Sequence, residues 1–266
     1  YIGMIQKIKF FIIFFLFSAC NTVTGTLEGT SRGVVKDVKT IHHYSTCVFT
    51  KKQCDDYIVK CEEVLKFLLK KKKVNTISTN AQAIDNPFQY DDFFFKQVYF
   101  KKIDKLLKEL LDENYVLINS NLINRRKFYH PNIRTSLART AEWHTDSRYL
   151  GGKRLGKGLS FIVYVALEDL SKENGATCYI PKTHLITKIP KRHANYKHKI
   201  LNLKKGDMII FDSGLWHKGG HPTNKSRWTI FNYYGPWWMK PYYLFDQMLG
   251  KKKINSLDKN LKKMLH

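Results

Sequence analysis

The chain is predicted to be mainly β, a sandwich or barrel with helices laid against it. Three observations predict this. From Tyr115 onward, short runs rich in Val, Ile, Phe, Tyr and Thr recur at fairly regular spacing between turn residues. Two amphipathic stretches of helical period come before them, placed to cover one face of a sheet. The 266 residues fit a single all-β domain, since such domains often run past about 200 residues. Composition agrees: 43% hydrophobic, 14% aromatic and 26% charged is globular and excludes wholesale disorder or a collagen-like fibre.

The elements follow in order. Lys7 and Lys9 precede an apolar run over residues 10–17, too short to cross a bilayer, and Ser18-Ala19-Cys20 follows. These are the marks of an export signal, although the chain opens on Tyr1. Residues 21–46 are rich in Thr, Gly, Ser and Val and read as a linker, with His42 and His43 solvated in it. The expected division is therefore a leader-like or fused segment plus linker over 1–45 and one domain over 46–266. Thr50 is a plausible N-cap for a helix whose apolar side carries Cys54, Tyr57, Ile58, Cys61, Val64, Leu65 and Leu68. Cys54 and Cys61 are then buried thiols. Five cysteines without a CxxC pair exclude a disulfide framework and a four-thiolate zinc site. Residues 74–90 are polar and irregular, broken at Asn86-Pro87. A second helix places Phe100, Ile103, Leu106, Leu107, Leu110 and Leu111 on one side. The expected strands are 115–123, 136–146, 159–167, 177–180, 200–203, 207–213 and 228–234. A Lys-rich C-terminal helix is expected over 249–265.

Forty-six Lys+Arg against 22 Asp+Glu leave a net charge of +24. Such a surplus suits an anionic partner, but much of it lies in Lys runs (Lys70, Lys71, Lys72 and Lys73; Lys251, Lys252 and Lys253) that a solvated face explains equally well. A nucleic-acid partner is not expected, and membrane contact is expected only through the leader.

The chemistry lies in Trp143-His144-Thr145-Asp146 and in the stretch from Gly206 to His217. In an extended chain His144 and Asp146 share a face. A second imidazole, His217, closes a later strand, and Arg227 follows ten residues on. Two His and one carboxylate on one face of a metal leave three adjacent positions open, the facial triad of non-haem Fe(II) oxygenases. A 2-oxo acid fills two of these positions and dioxygen the third. Arg offers the fixed fork that suits the acid's far carboxylate, and Thr229 shares the Arg227 face.

These residues resemble the phytanoyl-CoA dioxygenase family over roughly 49–238. The similarity includes Phe49-Thr50-Lys51-Lys52-Gln53-Cys54, the Trp-His-x-Asp stretch, Glu173-Asn174-Gly175-Ala176 leading to Ile180-Pro181-Lys182-Thr183-His184, Gly206-Asp207, His217 and Arg227. The resemblance implies a double-stranded β-helix, a jelly-roll or cupin-like barrel, with Fe(II), 2-oxoglutarate and O2 as cofactor and co-substrates. It implies His144, Asp146 and His217 as iron ligands, with Arg227 and Thr229 holding 2-oxoglutarate. The activity implied is hydroxylation of an aliphatic C–H of a small molecule or acyl derivative, releasing succinate and CO2. His221, four residues after His217, is the rival ligand; His184, behind a Pro turn, is expected beside the ligands rather than among them. Lys182 stands where the family favours Gly. The leader, over residues 10–25, resembles a bacterial entericidin-like lipoprotein start, with Cys20 as the lipidated residue.

Other readings keep parts of this set. A cupin-like metal-binding protein or isomerase keeps the three ligands and has no use for Arg227. A basic nucleic-acid or membrane-surface protein uses only the charge. Arg139, Arg148 and Arg154 flank the His144 run and suit an anionic small-molecule substrate as well as they suit a charged surface. Trp143 and Thr145 are expected to pack away from the metal. Trp216, Trp228, Trp237 and Trp238 are expected to divide between core and amphipathic rim. Since ferrous iron and 2-oxoglutarate are cytosolic supplies, the expected location is cytoplasmic, with membrane attachment through a lipidated Cys20 as the alternative.

Overall fold

The computed structural model describes residues 44–78, 81–126, 142–147, 149–150, 153–154, 158–223 and 225–265. The leader with Cys20, His42 and His43, residues 136–141, Arg139, Arg148 and the Arg154 side chain lie outside what is described.

Strand β1 (Tyr44–Cys47) leads into α1 (Lys51–Lys70). Thr50 caps α1 as its sequence suggests: Gln53 N donates to Thr50 Oγ1 at 3.2 Å, and Thr50 N donates to Gln53 Oε1 at 2.8 Å. Cys54, Tyr57, Cys61, Val64, Leu65 and Leu68 form its buried stripe. Next come β2 (Asn75–Ser78), β3 (Ala81–Asp85), 3-10 turns at Pro87–Gln89 and Asp92–Gln97, and α2 (Lys101–Leu110), which buries Ile103 and Leu107. The rest is β4 (Val116–Arg125), β5 (Tyr149–Leu150), β6 (Lys153–Arg154), β7 (Phe161–Ala166), β8 (Cys178–Ile180), β9 (Lys199–Ile200), β10 (Asp207–Asp212), β11 (Trp216–Lys218) and β12 (Arg227–Gly235).

Seven strands form one antiparallel sheet in the order β1-β10-β7-β12-β4-β3-β2, and β11-β8-β9 form a small second sheet. The large sheet is buried on both sides, which explains why β7 is apolar throughout. Phe161, Val163 and Val165 join α1 and α2 in one core. Ile162, Tyr164 and Ala166 face inward with Ile209, Phe211, Leu201 and Leu215 in another. That second core, between the two sheets, contains the cavity described below. The fold is a double-stranded β-helix with flanking helices.

Three local expectations are corrected. Residues 44–46 were expected in the linker, but they belong to a strand that pairs with β10, Tyr44 opposite Ile210. Residues 75–78 and 81–85 were expected to be irregular; β3 instead pairs with β4, Ala83 opposite Ile123. Ala, Gln and Asn carry little strand preference of their own, so the neighbouring strand decides. The single C-terminal helix is three short ones, α3 (Phe245–Leu249), α4 (Lys251–Ser256) and α5 (Lys259–Met264). Gly250 at φ +80° breaks the first junction, and Asp258 caps α5 by accepting from Asn260 N and Leu261 N. Among the described residues no helix is long and apolar enough to cross a membrane.

Gly206 fixes the corner before β10. Its φ is +89°, and an added Cβ would lie 2.1 Å from the Phe49 carbonyl oxygen. Its amide donates to Ala166 O, and its carbonyl accepts from Val48 N at 2.9 Å. Gly206→Ala should therefore cost about 2–4 kcal/mol through backbone strain and displacement of a main chain. Urea unfolding should show a lower midpoint at unchanged slope; an unshifted midpoint would mean that this corner yields freely.

Candidate metal centre and its cavity

His144 and His217 meet across a two-way backbone bridge: each amide donates to the other's carbonyl at 3.0 Å. The expected strand over 136–146 is, in its described part, this single bridge. His144 and Asp146 nevertheless turn to the same side, because the Asp146 and Ser147 amides both donate to Ser213 O, at 2.9 and 3.1 Å. Trp143 and Thr145 point away and are buried, as expected. The Trp143 ring packs on Tyr196 and His198.

Each imidazole is oriented by the carbonyl two residues before it. His144 Nδ1 lies 2.7 Å from Glu142 O, and His217 Nδ1 lies 2.9 Å from Leu215 O. With the proton on Nδ1, both Nε2 lone pairs face one point. Asp146 reaches the same point: Oδ2 is 3.2 Å from His217 Nε2, and Oδ1 is 4.0 Å from His144 Nε2. One ligand atom from each of the three residues lies within 4.8 Å of the others. Asp146 Oδ2 is buried and accepts no hydrogen bond. Three converging lone-pair donors, one an orphaned carboxylate oxygen, are what a divalent cation satisfies. Electrostatics point the same way. Burial, reinforced by His217, holds the His144 pKa down to about 4. Burial would also depress His217, but the Asp146 carboxylate outweighs it and raises that pKa. Asp146 is lowered, because the two imidazoles overcome the opposing effect of burial. His221 is exposed and lies outside this cluster.

The cluster opens into a cavity of about 200 Å³. One wall is a four-rung ladder where β4 and β12 run side by side: Arg125 opposite Arg227, Ile123 opposite Thr229, Asn121 opposite Phe231, and Asn119 opposite Tyr233. All eight residues line the cavity, with His144, Asp146, His217 and Tyr164. The wall thus grades from two guanidiniums at one end to neutral amides and aromatics at the other.

Arg227 is 2% exposed. Among the described residues its guanidinium donates to neutral oxygens: Asn174 O at 3.2 Å, Gly175 O at 2.8 Å, Tyr164 Oη at 2.7 Å and Thr229 Oγ1 at 3.3 Å. The Asn174-Gly175 motif therefore presents two carbonyls to this arginine. Asn174 braces its own turn by accepting from Ser171 N and donating to Asp169 O, and Gly175 adopts φ +71°. Arg125, which sequence reasoning missed, is buried and donates to Gly220 O at 3.2 Å. Burial first, and the Arg227 charge second, bring its pKa down to about 9. A Cβ on Gly219 would fall 2.0 Å from Arg125 Nη2, so this glycine admits the arginine, while one on Gly220 would fall 2.5 Å from Ala176 O.

His184 is buried in a 3-10 turn, Thr183–Leu185, and does not line the cavity. Its neighbour Thr183 accepts from Trp216 N and donates to Ile180 O, fastening the turn to the strand that carries His217. Lys182 takes φ +68°, so the turn that Gly would make without strain is kept here at a cost of roughly 1–2 kcal/mol. Trp216 and Trp228 are buried; Trp237 and Trp238 are 65% and 57% exposed.

Residues 41–228 match a family model described as phytanoyl-CoA dioxygenase. Dioxygenase af480 of Aspergillus fumigatus is 30% identical over 103 residues, 37% of this chain, and the chain spans about a third of that relative, 33%. Among solved structures, HygX from Streptomyces hygroscopicus with nickel, 2-oxoglutarate and hygromycin B bound superposes at TM-score 0.57 and 13% identity, covering 78% of this chain and 88% of that one. The non-haem α-ketoglutarate-dependent epimerase SnoN of nogalamycin biosynthesis gives TM-score 0.52 and 14% identity, covering 74% and 79%. At these identities the two structures establish the shared fold.

Proposed function

Because the chain belongs to the phytanoyl-CoA dioxygenase family, we propose that it is an Fe(II)- and 2-oxoglutarate-dependent oxygenase. In this reading it hydroxylates an aliphatic C–H of a small molecule or acyl derivative and releases succinate and CO2. The observation that carries the reading is the presence in one cavity of the orphaned Asp146 carboxylate between two inward-turned imidazoles, together with a buried guanidinium on neutral partners. A metal-binding protein without oxidative decarboxylation needs the first feature and has no use for the second.

His144, Asp146 and His217 would hold the ferrous ion on one face. Bound there with 2-oxoglutarate, it supplies dioxygen activation through oxidative decarboxylation of the co-substrate. The chain's own residues do the rest. The Glu142 and Leu215 carbonyls hold the proton on each Nδ1, so that Nε2 is the nitrogen left to ligate. Arg227 and Thr229 receive the far carboxylate of 2-oxoglutarate, and Arg125 adds a second positive charge to that end. The inner-sheet core, with Tyr164, Phe231 and Phe211, excludes water from the reacting groups. Hygromycin B bound in HygX and the role of SnoN in nogalamycin biosynthesis support a small-molecule substrate here. The cytoplasm is the proposed location, since it supplies both ferrous iron and the 2-oxo acid.

Two measurements test this. Calorimetric titration of 2-oxoglutarate into anaerobic Fe(II)-loaded protein should show one site per chain. A succinate-release screen over acids, amino acids and acyl thioesters should find a compound that stimulates turnover with matching oxygen uptake. Fe(II)-loaded protein that takes up no 2-oxoglutarate would leave only the non-oxidative reading.

A further inference from the structure

The end of the ladder opposite the guanidiniums carries its own signature. Asn119 is a buried amide on the cavity wall. Its orientation is set by a neighbour two residues on. The Asn121 amide nitrogen meets Asp85 Oδ1 at 2.9 Å and Ser120 O at 2.8 Å, which leaves the Asn121 oxygen to accept from Asn119 Nδ2 at 3.1 Å. Asn119 Oδ1 is then left buried without a donor. A buried amide oxygen that accepts nothing is costly to keep, and Asn119 lines the cavity, where a ligand can satisfy it.

Its cross-strand partner Tyr233 is also held. The Tyr233 hydroxyl lies 3.0 Å from Ser160 Oγ, which lies 2.6 Å from Ser213 Oγ, itself 3.0 Å from Ser147 Oγ. Whichever hydroxyl donates, the contact fixes where the Tyr233 ring stands beside Asn119. Ser213, in the middle of this chain, is the residue whose carbonyl fixes the Asp146 amide. The subsite and the carboxylate ligand are therefore registered to each other through one serine. Tyr242 packs its ring 5.8 Å from Tyr233, and Phe231 completes an aromatic side.

We propose that Asn119 forms a specificity-determining subsite whose Oδ1 accepts a hydrogen bond from a neutral hydroxyl or amide N–H of the substrate, beside the aromatic faces of Tyr233, Phe231 and Tyr242. The word substrate rests on the oxygenase reading; the subsite itself does not. The subsite suits a neutral group; the anionic substrate weighed in the sequence rested on Arg139, Arg148 and Arg154, whose side chains lie outside the described residues. Among the described residues the two arginines on the cavity wall stand at the other end, where the co-substrate's carboxylate binds.

The test uses matched probes in which a methyl group caps the donor: benzyl alcohol against benzyl methyl ether, and 2-piperidone against N-methyl-2-piperidone. Binding is followed by ligand-observed NMR on the full chain, anaerobic and loaded with Fe(II) and 2-oxoglutarate. At least one uncapped probe should bind about tenfold more tightly than its capped partner, the discrimination expected where a site's polar atom would be left unpaired. Asn119→Leu and Asn119→Ala should each erase that preference, with thermal unfolding confirming that the variant used is folded. Equal binding of capped and uncapped probes by the wild type would overturn the proposal, as would a preference that survives in a folded Asn119 variant. The same comparison on metal-free protein separates the two readings. A donor preference there, with no uptake of 2-oxoglutarate by the loaded protein, would sink the oxygenase reading and leave the subsite standing.

Discussion

Asp146→Ala should abolish 2-oxoglutarate-dependent succinate release, a loss on the order of 10³-fold or more. It should also weaken Fe(II) binding beyond the roughly 10–100-fold that loss of a ligand's supporting partner costs. The reason is charge. Asp146 is the one anionic member of the cluster, and its Oδ2 has no other claim on it. Without it, two neutral imidazoles remain to hold a dication. The backbone should survive the change, because the bonds that position residue 146 run from its amide and that of Ser147 to Ser213 O. Urea unfolding should thus be nearly unchanged while equilibrium dialysis shows loss of Fe(II). Asp146→Asn is the sharper control, since it keeps the shape and removes only the charge. His144→Ala should behave like Asp146→Ala. Succinate production at wild-type level in both would remove the metal assignment altogether.

What made these residues legible in the sequence is that their chemistry is scarce and their spacing mechanical. His144 and Asp146 stand two apart, and the chain between them needs only one extended residue to put both on one side. His217 was expected to close the strand that β10 forms; β10 ends at Asp212 and His217 lies on the short β11 of the other sheet, while Arg227 opens β12 as its run suggests. The central strands β4, β7, β10 and β12 were readable for a related reason. Burial on both faces demands apolar side chains regardless of neighbours in β7, where all six residues are buried, while β4 and β12 mix polar residues among Val, Leu, Ile, Phe and Tyr. Edge strands carry no such demand. The edge strand β2 and its neighbour β3 carry one Ile each among Asn, Thr, Ser, Ala, Gln and Asp, and they form because β4 offers partners to β3 and β3 to β2, a cause that no local window contains.

The ladder between β4 and β12 was the larger omission. Arg125, Asn121 and Asn119 became site residues only when the register set them opposite Arg227, Phe231 and Tyr233. A signal was present all the same. Over residues 116–125 one set of alternate positions carries Asn119, Asn121, Ile123 and Arg125, three of them polar, inside a strand buried on both sides. Buried polar residues spaced by two in a central strand need partners, and here the partner is a cavity. Gly219 could have been read with it, since an added Cβ there would occupy the space that Arg125 fills.

Arg227→Met should raise the apparent KM for 2-oxoglutarate about 100-fold, with a smaller effect on turnover at saturation. The size follows from what is lost. Truncating one partner of a buried, hydrogen-bonded charge pair costs roughly 2–5 kcal/mol, and about 2.8 kcal/mol is two decades in affinity. Arg227→Lys should rescue little. The present guanidinium is held as a planar fork by Asn174 O, Gly175 O and Tyr164 Oη together, and an ammonium cannot reach all three and still face a carboxylate in parallel. The substitution also strips two turn carbonyls of their donor, so a modest fall in the urea midpoint should accompany the kinetic change. Calorimetry of 2-oxoglutarate separates the two effects, because a loosened turn alone would leave its affinity in place. Thr229→Val should move the same constant less, as it removes one hydroxyl and no charge. If the KM stays at its wild-type value in Arg227→Met, the far carboxylate is held by Arg125, the other guanidinium on that rung, and Arg125→Met must then give the loss expected here.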